Sequence, residues 1–264
     1  MGSKLLQTRG SISEIDVFKR ALLAGVSPFN TFAEIVRKPD TFGPLLCMVL
    51  LTVAHIIGNS LILAKIFIYN AKGQIITPNI VESDNNLRVI AVNATAFRKV
   101  GPPTDEHYAV LNVLAIGFSI LTWISWSVSL WISLKLIGGS TEMLGLVSGY
   151  ILSAKFYETI TKTTLISLFL RNINKIELFI SQDLQKVTNL LNLASIALSQ
   201  SDVVQKVLMA HTAFFVVWSI IVSVAAIGQA GFVTTKKAII GGIVGYLISS
   251  FLQSMTFSLL TFIF

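Results

Sequence analysis

Long uninterrupted apolar runs dominate the chain, at 44–68, 108–136, 207–233 and 238–264. Each reaches the roughly 20 apolar residues that a membrane-spanning helix needs. A fifth run, 144–170, is interrupted by Lys155, Glu158 and Lys162. These charges fall at i, i+3 and i+7, so a helix places them on one face, where they can pair. An unpaired charge at the bilayer centre costs roughly 2.5–3.5 kcal/mol, and pairing offsets part of that. The pattern predicts an all-α membrane protein with five transmembrane helices. Residues 1–42 form a cytoplasmic amphipathic segment and 43–264 the membrane domain, with long outer connections at 69–107 and 171–206.

The polar stretches have patterns of their own. Ser11-Ile12-Ser13-Glu14 reads as a capping box, followed by Ile15, Phe18 and Leu22 at helical spacing, with Lys19 and Arg20 off that face and Gly25 as the stop. Ser27-Pro28 opens a second short helix that Pro39 ends. Within 69–107, Gln74–Thr77 and Leu87–Val92 alternate like short strands, and Asn85-Asn86 and Pro102-Pro103 supply turns, so a small outer β-hairpin is expected. Residues 172–198 place Ile176, Phe179, Ile180, Val187, Leu190, Leu191, Ala194 and Ala197 at helical spacing, which predicts an outer-face amphipathic helix.

Charge sets the expected orientation. Lys4, Arg9, Lys19, Arg20, Arg37 and Lys38 precede the first span, Lys135 follows the second, and Lys236 and Lys237 lie between the last two. Five spans with the N-terminus inside put every one of these short basic segments on the cytoplasmic side and the C-terminus outside. Only 12% of the 264 residues are charged and 53% are hydrophobic, against about 25% charged in a soluble domain. The formal net charge of +7 is therefore read as facing an anionic leaflet, and no nucleic-acid partner is expected. The N-terminus lacks a cleavable signal pattern. Leu6 breaks the myristoylation motif that Met1-Gly2 begins.

Little in the chain points to catalysis. Hydrolase, kinase, P-loop, dinucleotide and zincin signatures are absent from the sequence, so no catalytic residue, cofactor or metal ligand is assigned. Cys47 is the single cysteine and excludes an intrachain disulfide. His55, His107 and His211 lack ligand spacing. His55 and His211 could meet inside the bundle, but local hydrogen bonding is the commoner fate of such residues. The best functional candidate is an intramembrane polar network of Lys155, Glu158 and Lys162, with Tyr150 and Thr161 near it and His55, Asn59 and Gln253 able to join from other spans. Asn93-Ala94-Thr95 is a glycosylation sequon in the expected outer hairpin, so Asn93 is a modification candidate. Gly241, Gly242 and Gly245 read as close helix-packing positions.

Two stretches resemble a known family. Ser27-Pro28-Phe29-Asn30-Thr31-Phe32, then Ile35-Val36-Arg37-Lys38-Pro39-Asp40 and Pro44-Leu45-Leu46, resembles the beginning of the Yip domain. Gly138-Gly139-Ser140-Thr141, then Leu144, Val147 and Gly149-Tyr150, resembles its cytoplasmic turn and third span. The resemblance implies a polytopic protein whose eukaryotic relatives bind Rab GTPases or shape early secretory membranes. The short N-terminal segment and long first outer loop resemble prokaryotic, archaeal-type members, so a Rab-type GTPase is not an expected partner. The expectation is a non-enzymatic scaffold or accessory subunit in a prokaryotic cell membrane, whose partners are the lipid bilayer and other membrane subunits. The alternative is a transporter or permease component using the charged face of the third span.

Overall fold

The computed structural model describes residues 13–83 and 85–263. The chain is mainly helical. Its helices are α1 (Glu14–Leu23), α2 (Pro28–Arg37), α3 (Phe42–Leu63), α4 (Asp105–Ile137), α5 (Leu144–Leu170), α6 (Val187–Leu198), α7 (Asp202–Ala230) and α8 (Thr235–Ile263). The strands are β1 (Ile66–Asn70), β2 (Gln74–Ser83), β3 (Asn86–Asn93), β4 (Arg98–Gly101) and β5 (Lys175–Ile180). Among the described residues α3, α4, α7 and α8 are long and apolar enough to cross a membrane, which fits a membrane protein. At 27 residues, α5 is about 40 Å long and has the reach to cross as well; its three central charges set it apart.

The chain divides into two compact units. The first takes in residues up to Leu51 with Ser119–Tyr157 and Val216–Met255; the second takes in Thr52–Phe118, Glu158–Phe215 and the end from Thr256.

The core of the first unit packs Ala21 and Ala24 of α1, and Phe32 and Ile35 of α2, with Cys47, Leu51, Trp126, Leu130, Ile151, Val222 and Ala226. Hydroxyls buried in long helices must find partners where water is absent. On α4, Ser125, Ser129 and Ser133 each donate to the carbonyl one turn back, satisfying themselves without leaving the helix. Ser127 Oγ lies 2.8 Å from Ser148 Oγ, and Trp123 Nε1 donates to Ser148 at 3.2 Å, which ties α4 to α5. Gly242 of α8 lies directly on the α7 backbone at Val224, the close approach that small residues permit.

The second unit corrects the all-α expectation. Its five strands form one mixed sheet in the order β2-β3-β5-β1-β4. In place of the small outer hairpin expected over 69–107, the antiparallel β2–β3 pair, with Ile80 opposite Val89 and Asn85 at φ 60° in the turn, forms one edge of this larger sheet. β5 lies between β3 and β1, parallel to both: Leu178 is opposite Val89 on one side and Ile68 on the other. The stretch expected as one amphipathic helix over 172–198 is therefore β5, a short 3-10 turn at Gln182–Leu184, and α6.

The physical reason is the shortness of the strand. Ile176, Leu178 and Ile180 line one buried face, and the alternation over Lys175–Leu178 stops at Phe179-Ile180, so these six residues also fit a helical stripe with those that follow. One sheet face joins Ile66, Ile68, Leu87, Val89 and Leu178 in a core with Val187, Leu190, Ala194 and Ala197 of α6. Aromatic rings pack together elsewhere on the sheet, where Tyr69 stacks on Phe179 at 4.6 Å. Alongside, the Arg88 guanidinium holds Glu177 at 2.8 Å.

Candidate functional site

In α1 the backbone N–H of Asp16 donates to Ser13 Oγ, so Ser13 caps the helix. The expected cap residue Ser11 and its neighbour Ile12 lie outside the described residues. Val17, Arg20 and Ala21 are buried, whereas Ile15 is 80% exposed and Phe18 48% exposed. The small residues and the arginine go in, and the large apolar residues stay out.

Arg20 is 4% exposed, so its charge needs partners. It donates through Nε and a terminal nitrogen to Glu34 Oε1 at 3.0 and 2.8 Å, and through the other terminal nitrogen to the Lys38 carbonyl at 2.8 Å. The same nitrogen reaches Asp40 Oδ2 at 3.4 Å. Asp40 is the pivot. Its Oδ2 accepts a 2.6 Å bond from the Tyr150 hydroxyl, and its Oδ1 accepts from the Gly43 N–H at 2.7 Å. Tyr150 is fully buried.

Two glycines make this approach possible. A side chain on Gly43 would occupy the place of the Tyr150 hydroxyl, and one on Gly149 would run into Pro44. The end of α1, where backbone carbonyls lack helical partners, is satisfied from other helices. Ser153 Oγ donates to Leu22 O at 3.2 Å and accepts from Gly25 N at 3.0 Å, and Trp218 Nε1 donates to Gly25 O at 2.7 Å. Cys47 Sγ lies 3.7 Å from the Ala21 carbonyl. The result is a charged lock that fixes the α1–α2 pair on α3, α5 and α7. Chemically it suits holding, because both Asp40 oxygens are already committed to donors.

Arg20 and Asp40 were not among the expected site residues, and Tyr150 was expected near the charged face of α5. One sequence signal was available. Arg20 shares the i, i+3, i+4, i+7 positions of α1 with Val17, Ala21 and Ala24, so it lies on the small-residue face.

The expected polar residues fall as follows. Lys155, in the first unit, and Glu158, in the second, are half-buried on α5; Lys162 is exposed. Lys162 lines a pocket of about 320 Å³ with residues of α6 and α7 that include Ser199 and Leu208. Thr161 Oγ1 donates to the Glu158 carbonyl and lies 2.8 Å from His211 Nε2. His55 is half-buried, edge-on to Phe118 with ring centroids 5.0 Å apart. Asn59 is half-buried on α3, and Asn93 is exposed as the last residue of β3. His107 joins the start of α4 to the loop after β5, with Nε2 3.1 Å from the Gln185 carbonyl. Among the described residues no group of three His, Cys, Asp or Glu side chains is placed to hold a metal ion. Comparison with family models, curated proteins and solved structures finds no match to this chain.

Proposed function

We propose that the chain is a multi-pass, non-enzymatic membrane protein of the Yip type that serves as scaffold or accessory subunit of a larger membrane assembly. The observation that carries this reading is the locked helix pair. A buried Arg20–Asp40–Tyr150 arrangement holds α1 and α2 in place, while Ile15, Phe18, Val26 and Phe29 stay exposed. A firmly held apolar face is suited to a neighbouring subunit or the bilayer interface. The family reading draws support from the same place: the two stretches that resemble the Yip domain meet there, Asp40, Gly43 and Pro44 against Gly149 and Tyr150.

In this reading α5 is the fifth span. The N-terminus, the end of α4 at Lys135 and the start of α8 at Lys237 face the cytoplasm of a prokaryotic cell, and the sheet faces outside. The test is native mass spectrometry after extraction in mild detergent. Discrete partner subunits are expected with the wild type and are lost in a Phe18→Glu, Phe29→Glu variant that remains folded. A protein that runs strictly alone, or whose partners ignore those substitutions, overturns the reading.

A further inference from the structure

The sheet of the second unit carries a groove that the scaffold reading does not use. It is an open cavity of about 970 Å³ lined by residues that follow β1, by the β4 segment, and by residues that follow β5. β1 and β5 are parallel, so the groove lies outside their carboxyl ends, the place where open sheets with parallel strands characteristically bind ligands. The Ala71 N–H donates to the Ile180 carbonyl at 3.0 Å and joins the two strand ends beneath it.

The lining is cationic. Lys72, Arg98 and Lys99 stand against one carboxylate, Asp183. Lys99 belongs to the lining, but its Nζ lies over the Phe67 ring, 5.0 Å from the centroid and outside the groove. Ser181 also lines the groove, although its hydroxyl oxygen is sealed from solvent and is not offered to a ligand there. Phe97, edge-on to Phe179 with centroids 5.0 Å apart, gives an apolar wall. The volume suits an organic molecule better than a bare ion.

We propose that this groove binds a soluble organic anion bearing phosphate or carboxylate groups, held by Lys72 and Arg98. A lipid headgroup offers the same chemistry, but the geometry favours the soluble source. β1 and β5 begin where α3 and α5 end, so the groove lies one strand length, about 15 Å, from those helix ends.

The test uses the full chain in phosphatidylcholine nanodiscs, with citrate and inorganic phosphate as probes in isothermal titration calorimetry. Saturable binding that weakens with added salt is expected, with citrate tighter than phosphate. Arg98→Gln and Lys72→Gln should each weaken citrate at least tenfold, and Arg98→Lys should restore most of it. Arg88→Gln, which removes a cation paired with Glu177 away from the groove lining, should leave binding unchanged. Absence of saturable citrate or phosphate binding overturns the proposal. So does indifference to Arg98→Gln, or binding seen only when the nanodisc contains phosphatidylglycerol and its headgroup is the ligand.

Discussion

Replacing Asp40 by asparagine keeps the shape of the lock and removes its charge. The Asp40 side chain is 9% exposed and accepts short bonds from the Tyr150 hydroxyl and the Gly43 N–H. An amide has one oxygen, so either the Gly43 N–H, or the Tyr150 hydroxyl together with the Arg20 guanidinium, meets an NH2 in place of an acceptor. A hydrogen bond to a charged group is worth about 1.5–3 kcal/mol. The full 3–5 kcal/mol of a broken buried pair does not apply, because Arg20 keeps Glu34 and the Lys38 carbonyl. The expected loss is about 2–3 kcal/mol, taken mainly from the hydrogen-bond term.

Glu34→Gln is the contrast. That carboxylate is 57% exposed, where screening leaves such pairs about 0–1 kcal/mol. The chain supplies its own reporter: Cys47, the only cysteine, is fully buried with its sulfur against the α1 carbonyl of Ala21. Modification by a membrane-permeant maleimide at fixed pH requires α1 to lift away. At 1.4 kcal/mol per factor of ten, Asp40→Asn should speed modification about 30- to 150-fold and Glu34→Gln about fivefold or less. Equal rates in the two variants, or a wild-type rate in Asp40→Asn, would refute the assignment of Asp40 as pivot.

Three further outcomes are expected. Gly43→Ala should cost about 1–3 kcal/mol by overpacking, seen as faster Cys47 modification, and Tyr150→Phe in the same chain should recover part of it by removing the colliding hydroxyl; strictly additive losses would argue against the collision. In a Cys47→Ala background, single cysteines at Asn93 and Lys186 should react from the outside of sealed vesicles and those at Lys38 and Lys237 only from the cytoplasmic side, whereas outside labelling at Lys237 would remove α5 from the spans. Burial, and then the neighbouring Glu177 carboxylate, push the Tyr69 phenol above its ordinary value, so below about pH 10 both folded and unfolded chains hold the proton. As pH rises from there through the raised folded value, stability is lost to the unfolded chain's ionisation. Tyr69→Phe should flatten that alkaline decline in chemical denaturation, and an unchanged slope would exclude Tyr69 as a contributor.

Hydropathy alone identified the long helices, because a 20-residue apolar run has few other uses. The α2 boundaries were legible for local reasons as well, Ser27-Pro28 at the start and Pro39 after the end, whereas α1 is capped by Ser13 and not by the expected Ser11. Alternation around Asn85-Asn86 was legible as strand, but not that β2 and β3 form one edge of a five-stranded sheet. What local pattern cannot carry is partnership across the chain. β1 is an apolar Ile-Phe-Ile-Tyr run separated from the end of α3 only by Ala64 and Lys65, and β5 pairs with it from more than a hundred residues away. Only that pairing decides that both are strands, since their side chains are covered by neighbours the sequence does not name. The same holds for the lock. Arg20, Asp40 and Tyr150 are unremarkable one at a time, and the meaning of each comes from a 2.6 to 3.4 Å meeting of α1, the α2–α3 turn and α5. Hydrophobic period is written locally, whereas the compensation of a buried charge is a property of the packed structure.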